Sequence, residues 1–428
     1  MTKEGYKPRV IDALLSRKLQ GKGAVLIEGA KWCGKTSTAE QQAKSVIYMS
    51  DPKYREQYRL FADANPEMIL NGDTPRLIDE WQQTPKLWDQ IRFAVDHRKG
   101  MGHFILTGSA VPIKRDEIFH SGTGRFAWLT MRPMSLWESG NSNGAVSLQE
   151  LFRSPDNIAA SCDTDLHQIA FLTCRGGWPQ ASLMQDNDSI ALDQALDYYD
   201  AVVNSDIRRI DDVERDPERV KRLMRSYARY QGSQSSFSEI YKDMVAHEKS
   251  GLDENTISSY LNALRQIFVV EDMRAWNPNL RSKTAIRSTD TRYFVDPSIA
   301  TAALGLGPED LMNDMNTFGL LFETLCIRDL RVFAQALDGE VYHYRDKTGL
   351  ECDAVVHLRN GSYGLIEIKL GGDRLIDEGS KTLNTLAAKI DTTRMKSPAF
   401  LMILTATGGF AYRRTDGVYV VPVGCLKD

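Results

Sequence analysis

Eight residues near the start of the chain, Gly29-Ala30-Lys31-Trp32-Cys33-Gly34-Lys35-Thr36, constrain its fold more than any other stretch. They satisfy the spacing G-x-x-x-x-G-K-[ST]. The run before them, Ala24-Val25-Leu26-Ile27-Glu28, has the apolar character of a buried strand, and a helical pattern begins near Lys35. Glycines let such a loop curl until its backbone N–H groups converge, and the following helix adds its positive N-terminal end. Strand, loop and helix in that order imply a cradle for phosphate.

The chemistry of the loop predicts ATP as ligand, with magnesium. The expected binding set is Gly29, Ala30, Lys31, Trp32, Cys33, Gly34, Lys35, Thr36 and Ser37, with Lys35 reaching the β- and γ-phosphates and the Thr36 hydroxyl on the metal. Cys33 is a filler whose thiol a helix N-terminus would acidify. A later apolar run ends Leu77-Ile78-Asp79-Glu80, which suits a strand whose Asp79 holds magnesium through water. Glu80 is then expected to orient or deprotonate the attacking water. Thr107 and Ser109, at the end of a fourth apolar run, fit γ-phosphate contacts or ordinary turn chemistry equally. Arg125, in Ser121-Gly122-Thr123-Gly124-Arg125, is a candidate finger for the γ-phosphate of a neighbouring subunit, with a surface salt bridge as the plain alternative. Arg175 is a weaker candidate for the same work in cis.

With 428 residues the chain exceeds what one core organises, so two or three domains are expected. A net charge of −4 without long single-sign blocks excludes a whole-molecule basic field for nucleic acid and leaves room for a local one. Six scattered cysteines, with no C-x-x-C, fit free thiols in a reducing compartment. The first residues lack the apolar run of a signal peptide, and no stretch approaches the roughly 18 apolar residues that cross a bilayer. The expectation is a cytoplasmic protein with no membrane partner.

The first part alternates strand runs (24–28, 46–49, 76–80, 103–107, 126–130) with helical patterns, as parallel α/β domains do. Residues 163–231 read as helical, with 192–207 and 217–230 clearest. After a turn-rich stretch at 232–236 come helices at 237–247 and 253–268, and a small hairpin from 269–270 and 292–295 would complete a winged helix-turn-helix. The last third returns to α/β: a helix over 318–334, strands near 341–344, 352–358 and 363–370, then a helix and two more strands.

Taken together, these residues resemble the prokaryotic ATPases of the AAA superfamily that carry a C-terminal domain of unknown function. The resemblance spans nearly the whole chain: Lys7-Pro8-Arg9, the loop itself, Ile78-Asp79-Glu80-Trp81-Gln82, Leu106-Thr107-Gly108-Ser109, Gly124-Arg125, Pro133-Met134-Ser135, Gly176-Gly177-Trp178-Pro179, Glu351-Cys352-Asp353 and Ile366-Glu367-Ile368-Lys369. Lys31-Trp32-Cys33 departs from the family's usual loop only at variable positions. It implies an α/β fold: a P-loop NTPase core of AAA type (1–160), a helical lid (161–231), a winged helix (232–300) and a restriction-endonuclease-like α/β domain (301–428). A homo-oligomer, with a ring as one form, belongs to the same expectation, as does DNA or RNA as a candidate partner.

In the last domain Glu367 and Lys369 stand two apart on one strand and so share a face. Beyond the Asn360-Gly361 turn, Asp353 on the neighbouring strand can join them, and Glu323 on the preceding helix can complete the cluster. The arrangement resembles a PD-(D/E)xK nuclease site, in which Asp353 and Glu367 bind magnesium beside Lys369. A structural Glu–Lys salt bridge is the alternative. The helix at 253–268 is poor in cations, whereas the wing carries Arg274, Arg281, Lys283, Arg287 and Arg292, so nucleic acid and protein remain equal readings for this module. Two functions compete: an ATP-hydrolysing machine acting on nucleic acid, and a nucleotide-dependent switch whose C-terminal domains bind proteins.

Overall fold

The computed structural model describes residues 5–109, 122–154, 158–184, 187–209, 213, 215–245, 253–278 and 289–428. The chain divides into two compact units. The first comprises residues 1–132, 205–214 and 263–268, and the second 133–204, 215–262 and 269–428.

In the first unit, alternation along each strand decides the architecture. The strands are β1 (Ala24–Glu28), β2 (Ser45–Tyr48), β3 (Arg76–Asp79), β4 (Phe104–Gly108) and β5 (Phe126–Thr130). They form one parallel sheet in the order β2-β3-β4-β1-β5. Ala24 and Leu26 of β1 pack with Phe104 and Leu106 on one face, with Trp81, Trp88 and Ile91. Val25 and Ile27 point to the other, where Ile105 and Leu77 meet Ile11, Leu14, Leu15 and Leu19 from the helix Val10–Gly21. Both faces are covered, which is why these strands read as continuous apolar runs. β1 lies between β4 and β5, so the loop that follows it opens at the C-terminal edge of the sheet, where open α/β sheets place their sites.

The second unit holds short strands β6 (Val146–Ser147) and β7 (Ala160–Ser161), then β8 (Gly339–Arg345), β9 (Glu351–Leu358), β10 (Tyr363–Lys369), β11 (Phe400–Thr405), β12 (Phe410–Arg413), β13 (Tyr419–Pro422) and β14 (Leu426–Lys427). Seven form a mixed sheet in the order β7-β12-β13-β11-β10-β9-β8, while β6 pairs with β14. The expectation of two strands after the last long helix was too low. Four follow it, and three of them are of four residues or fewer, too short for alternation to register. The helix Asp373–Lys389 crosses over between β10 and β11, which run parallel, and sets Ile376, Leu383 and Leu386 on Leu365, Val355 and Ile403. Helices at Asp188–Asn204, Pro217–Arg229, Phe237–Val245, Glu254–Gln266 and Met315–Ala336 fall where periodicity predicts them. The stretch expected as a wing pairs through antiparallel bridges, Val270 with Phe294 and Met273 with Thr291.

A buried ionic knot explains the Gly176-Gly177-Trp178-Pro179 break. Arg328 Nη1 lies 2.9 Å from Asp296 Oδ2 and Nη2 lies 2.8 Å from Asp329 Oδ1, with all three side chains almost wholly enclosed. Both carboxylates have further partners: Asp296 accepts from Gly177 N–H and Asp329 from Leu136 N–H, each at 2.9 Å, and Asp296 Oδ1 accepts from the Ser298 hydroxyl at 2.6 Å. Gly177 has no room for a side chain, because a Cβ there would lie 2.1 Å from the Met134 carbonyl. Replacing Arg328 with Met leaves two buried carboxylates uncompensated. We expect the second unit to lose about 3–5 kcal/mol, read as a lower denaturant midpoint by tryptophan fluorescence. An unchanged midpoint would show the knot to be dispensable.

Candidate functional site

The loop after β1 owes its shape to two glycines and one strained residue. Gly29 takes φ +154°, and a Cβ on it would stand 2.0 Å from the Met131 carbonyl. Gly34 takes φ +100° immediately before the helix Lys35–Glu40, and Trp32 is left-handed at +63°. Lys35 is buried and folds back over the loop, its Nζ donating to the carbonyls of Gly29 (3.0 Å) and Ala30 (2.8 Å). Cys33 is buried and directs its thiol at the Met131 carbonyl, 3.5 Å away. The Lys31 ammonium pairs with Asp206, while Trp32 and Ser37 are exposed.

Three strand ends converge beside this loop. Asp79, the last residue of β3, accepts on one oxygen, Oδ1, from the Thr36 hydroxyl and from the Thr107 hydroxyl of β4, each at 2.6 Å. Thr107 Oγ1 in turn accepts from the Glu80 N–H at 3.3 Å. Glu80 sits at φ +56°, a conformation rare for a glutamate, and its carboxylate accepts from Ser109 Oγ (3.1 Å) and from Gln82 Nε2. Thr36, Asp79, Glu80, Thr107 and Ser109 are therefore one connected polar network at the sheet edge.

Arg125 lies elsewhere in its contacts. Its guanidinium grips Asp96 through Nε to Oδ1 at 2.8 Å and Nη2 to Oδ2 at 3.3 Å, the plain salt bridge that stood as the alternative. Arg175 belongs to the second unit and is buried, its Nε donating to the Gly176 carbonyl. Burial, with Arg328 nearby, brings its pKa down to about 10.

Sequence reasoning assigned no role to Arg9, yet it braces the loop. Its nearly buried guanidinium donates to the Cys33 carbonyl at 2.7 Å and to the Arg132 carbonyl at 2.8 Å. Its backbone N–H donates to Asp12 Oδ2 at 2.9 Å, and Tyr6 bridges Asp12 Oδ1 (2.7 Å) and Thr38 Oγ1 (2.9 Å). A lone arginine ahead of a helix carries no local signal of this.

The second cluster also comes together. Asp353 on β9 stands one register step beyond the pair Ala354–Ile366, which sets it across from Glu367 on β10. Lys369 Nζ lies 3.0 Å from Asp353 Oδ2 and 2.7 Å from Glu367 Oε2, and Asp353 Oδ2 also accepts from Ile368 N–H at 2.7 Å. Glu323, on the helix Met315–Ala336, accepts from the buried Tyr293 hydroxyl. Burial, reinforced by Asp353, pushes Glu367 up to about 8 and Glu323 well above the carboxylate range. Burial alone would lower Lys369; the two carboxylates beside it raise it instead. The ammonium thus takes the position between Asp353 and Glu367. Among the described residues no three of His, Cys, Asp and Glu are grouped to hold a metal ion. Of the cations in the stretch expected as a wing, Arg274 pairs with Glu340 and Arg292 with Asp272, while Arg281, Lys283 and Arg287 lie outside the described residues.

Comparison with known proteins places this geometry in a class. Residues 21–139 match the model of an AAA domain. Residues 166–310 and 318–426 match two domains of unknown function, DUF8612 and DUF4143. The uncharacterized proteins Rv2008c of Mycobacterium tuberculosis and Mb2031c of Mycobacterium bovis are each 24% identical over 360 residues, covering 83% of this chain and 72% of theirs. Among solved structures, the Walker-type ATPase PABY2304 of Pyrococcus abyssi is 14% identical with a TM-score of 0.42, over 70% of this chain and 97% of that one. RuvB of Thermotoga maritima is 17% identical with a TM-score of 0.28, over 61% and 88%. The first unit has the α/β fold of a P-loop ATPase core of AAA type. No helix of the described residues is long and apolar enough to cross a membrane.

Removing the Arg9 brace frees the Cys33 carbonyl and slackens the loop. Arg9→Ala is expected to weaken ATP binding about tenfold, the equivalent of one charge-assisted hydrogen bond, and to change turnover at saturation less. Titration with ATP checks it; an unchanged dissociation constant would leave Arg9 as packing.

Proposed function

We propose that the chain binds ATP with magnesium in the loop 29–36 and hydrolyses it at the end of β3. One observation carries the reading: Asp79 Oδ1 is hydrogen-bonded to Thr36, the hydroxyl that would ligate magnesium, and to Thr107 on the next strand. The two glycines fit a backbone cradle, Lys35 is already aimed into it, and Thr36 with Asp79 supplies the oxygen donors that magnesium takes. Held by Thr36 and Asp79, magnesium would supply neutralisation of phosphate charge. Lys35 would leave the Gly29 and Ala30 carbonyls for phosphate oxygens. Glu80 would hold the attacking water and accept its proton, with Ser109 and Gln82 fixing the carboxylate. Arg125 would reach a neighbouring subunit's nucleotide only by exchanging Asp96 for phosphate.

Glu80→Gln is expected to keep ATP affinity and to lose hydrolysis by about 10²–10⁴-fold, because the acceptor is removed and the cradle kept. Lys35→Ala is expected to lose binding. Phosphate release and nucleotide titration on both variants check this; a wild-type rate in Glu80→Gln would remove Glu80 from the chemistry.

For the second unit the observations favour a binding module without nuclease activity over a nuclease. Lys369 Nζ pairs with both Asp353 and Glu367, and two of the five wing cations are already paired. A structural bridge predicts no cleavage of plasmid, linear or single-stranded DNA with magnesium or manganese. It also predicts that Lys369→Met costs about 1–3 kcal/mol by leaving Glu367 unpaired. Metal-dependent cleavage abolished by Asp353→Ala would overturn it and restore the nuclease reading.

A further inference from the structure

All six cysteines are free and buried, but two of them share a contact. Cys162 directly follows β7 and Cys425 directly precedes β14, 263 positions later in the chain. Cys162 is fixed by its N–H, which donates to the Gly409 carbonyl at 3.0 Å. The Cys425 thiol donates to the Ser161 carbonyl at 3.4 Å, which sets its sulfur beside that of Cys162. The neighbouring chain closes tightly on this point. A Cβ on Gly424 would stand 3.0 Å from Cys162 Sγ and 2.5 Å from Thr164 Oγ1, so only glycine lets the two segments approach. Two cysteine side chains already in contact need little backbone movement to reach disulfide geometry.

We infer that Cys162 and Cys425 are a peroxide-reactive thiol pair that closes to a disulfide within the folded second unit. Their surroundings divide the labour. The adjoining Cys425 thiol, then the Thr164 hydroxyl and N–H, favour negative charge on Cys162 and lower its pKa against the opposing effect of burial. Cys425 is pushed upward by the neighbouring Cys162 sulfur and by burial, so it keeps its proton near neutral pH. Cys162 thiolate attacks one oxygen of a hydroperoxide: an S–O bond forms, the O–O bond breaks, and the departing oxygen leaves as water or alcohol after taking a proton. Cys425 then attacks the resulting sulfenic acid. The S–S bond forms, the S–O bond breaks, and hydroxide leaves as water with the Cys425 proton. Two thiols and one hydroperoxide give one disulfide, one water and one further water or alcohol. Burial pushes the Cys174, Cys326 and Cys352 thiols upward, which separates them from Cys162 in reactivity.

The test uses the full chain. Native protein is treated with hydrogen peroxide, alkylated, digested without reduction and mapped by mass spectrometry. The expected result is a cross-linked peptide joining Cys162 to Cys425 that dithiothreitol abolishes, with the other four cysteines still thiols. In C425S, dimedone should trap a sulfenic acid on Cys162 and no cross-link should form. Wild-type protein that yields no cross-link, with both sulfurs recovered as thiols, would overturn the inference without any variant having to fold. Oxidation of Cys425 at the wild-type rate in C162S would equally overturn it, because the attacking sulfur would not be Cys162.

Discussion

One carboxylate oxygen organises the first unit. Asp79 Oδ1 accepts from Thr36, at the start of the helix after β1, and from Thr107, at the end of β4. Because β4 lies between β3 and β1, these two bonds lock the edges of three neighbouring strands to the loop. A hydroxyl–carboxylate hydrogen bond is charge-assisted and gains strength away from water, where Asp79 sits. The same oxygen network passes through the Thr107 hydroxyl to the Glu80 backbone and from the Glu80 carboxylate to Ser109 and Gln82. A change of ligand at Thr36 would thus be felt at Glu80 through two intervening side chains.

The loop itself was legible because its constraint is local. Two glycines, a lysine and a hydroxyl at fixed spacing describe a backbone path, and β1 and the helix at Lys35 bracket it as expected. The strands of the first sheet were legible to within a residue or so because both of their faces are buried. Arg9 and Asp206 were not, since their partners are set by folding and not by spacing: Arg9 meets Cys33 across 24 residues and Asp206 meets Lys31 across 175. Thr107 stood open between ligand contact and turn chemistry, and its place beside Asp79 follows from register, Asp79 pairing with Thr107 on adjacent strands.

In the second unit, period-two spacing on β10 anticipated that Glu367 and Lys369 share a face, and the hairpin register brought Asp353 opposite. What spacing could not supply is the charge balance. Three carboxylates surround one ammonium in a buried setting, and desolvation raises Glu367 and Glu323 so that charge is withdrawn from the cluster. Tyr293, which donates to Glu323, comes from the stretch read as a wing and was invisible to a pattern confined to one strand. The ionic knot around Arg328 sets one guanidinium between two buried carboxylates, and each carboxylate also accepts a backbone N–H.

The most direct test of the account is a structure of the full chain with a non-hydrolysable ATP analogue and magnesium. The account predicts the β-phosphate among the amides of residues 30–35, Lys35 Nζ turned from the Gly29 and Ala30 carbonyls onto phosphate, and the Thr36 hydroxyl on magnesium with Asp79 behind it. Glu80 should face a water in line with the γ-phosphate. An empty loop at saturating analogue, or a bound analogue with Lys35 and Thr36 still holding their present partners, would contradict it.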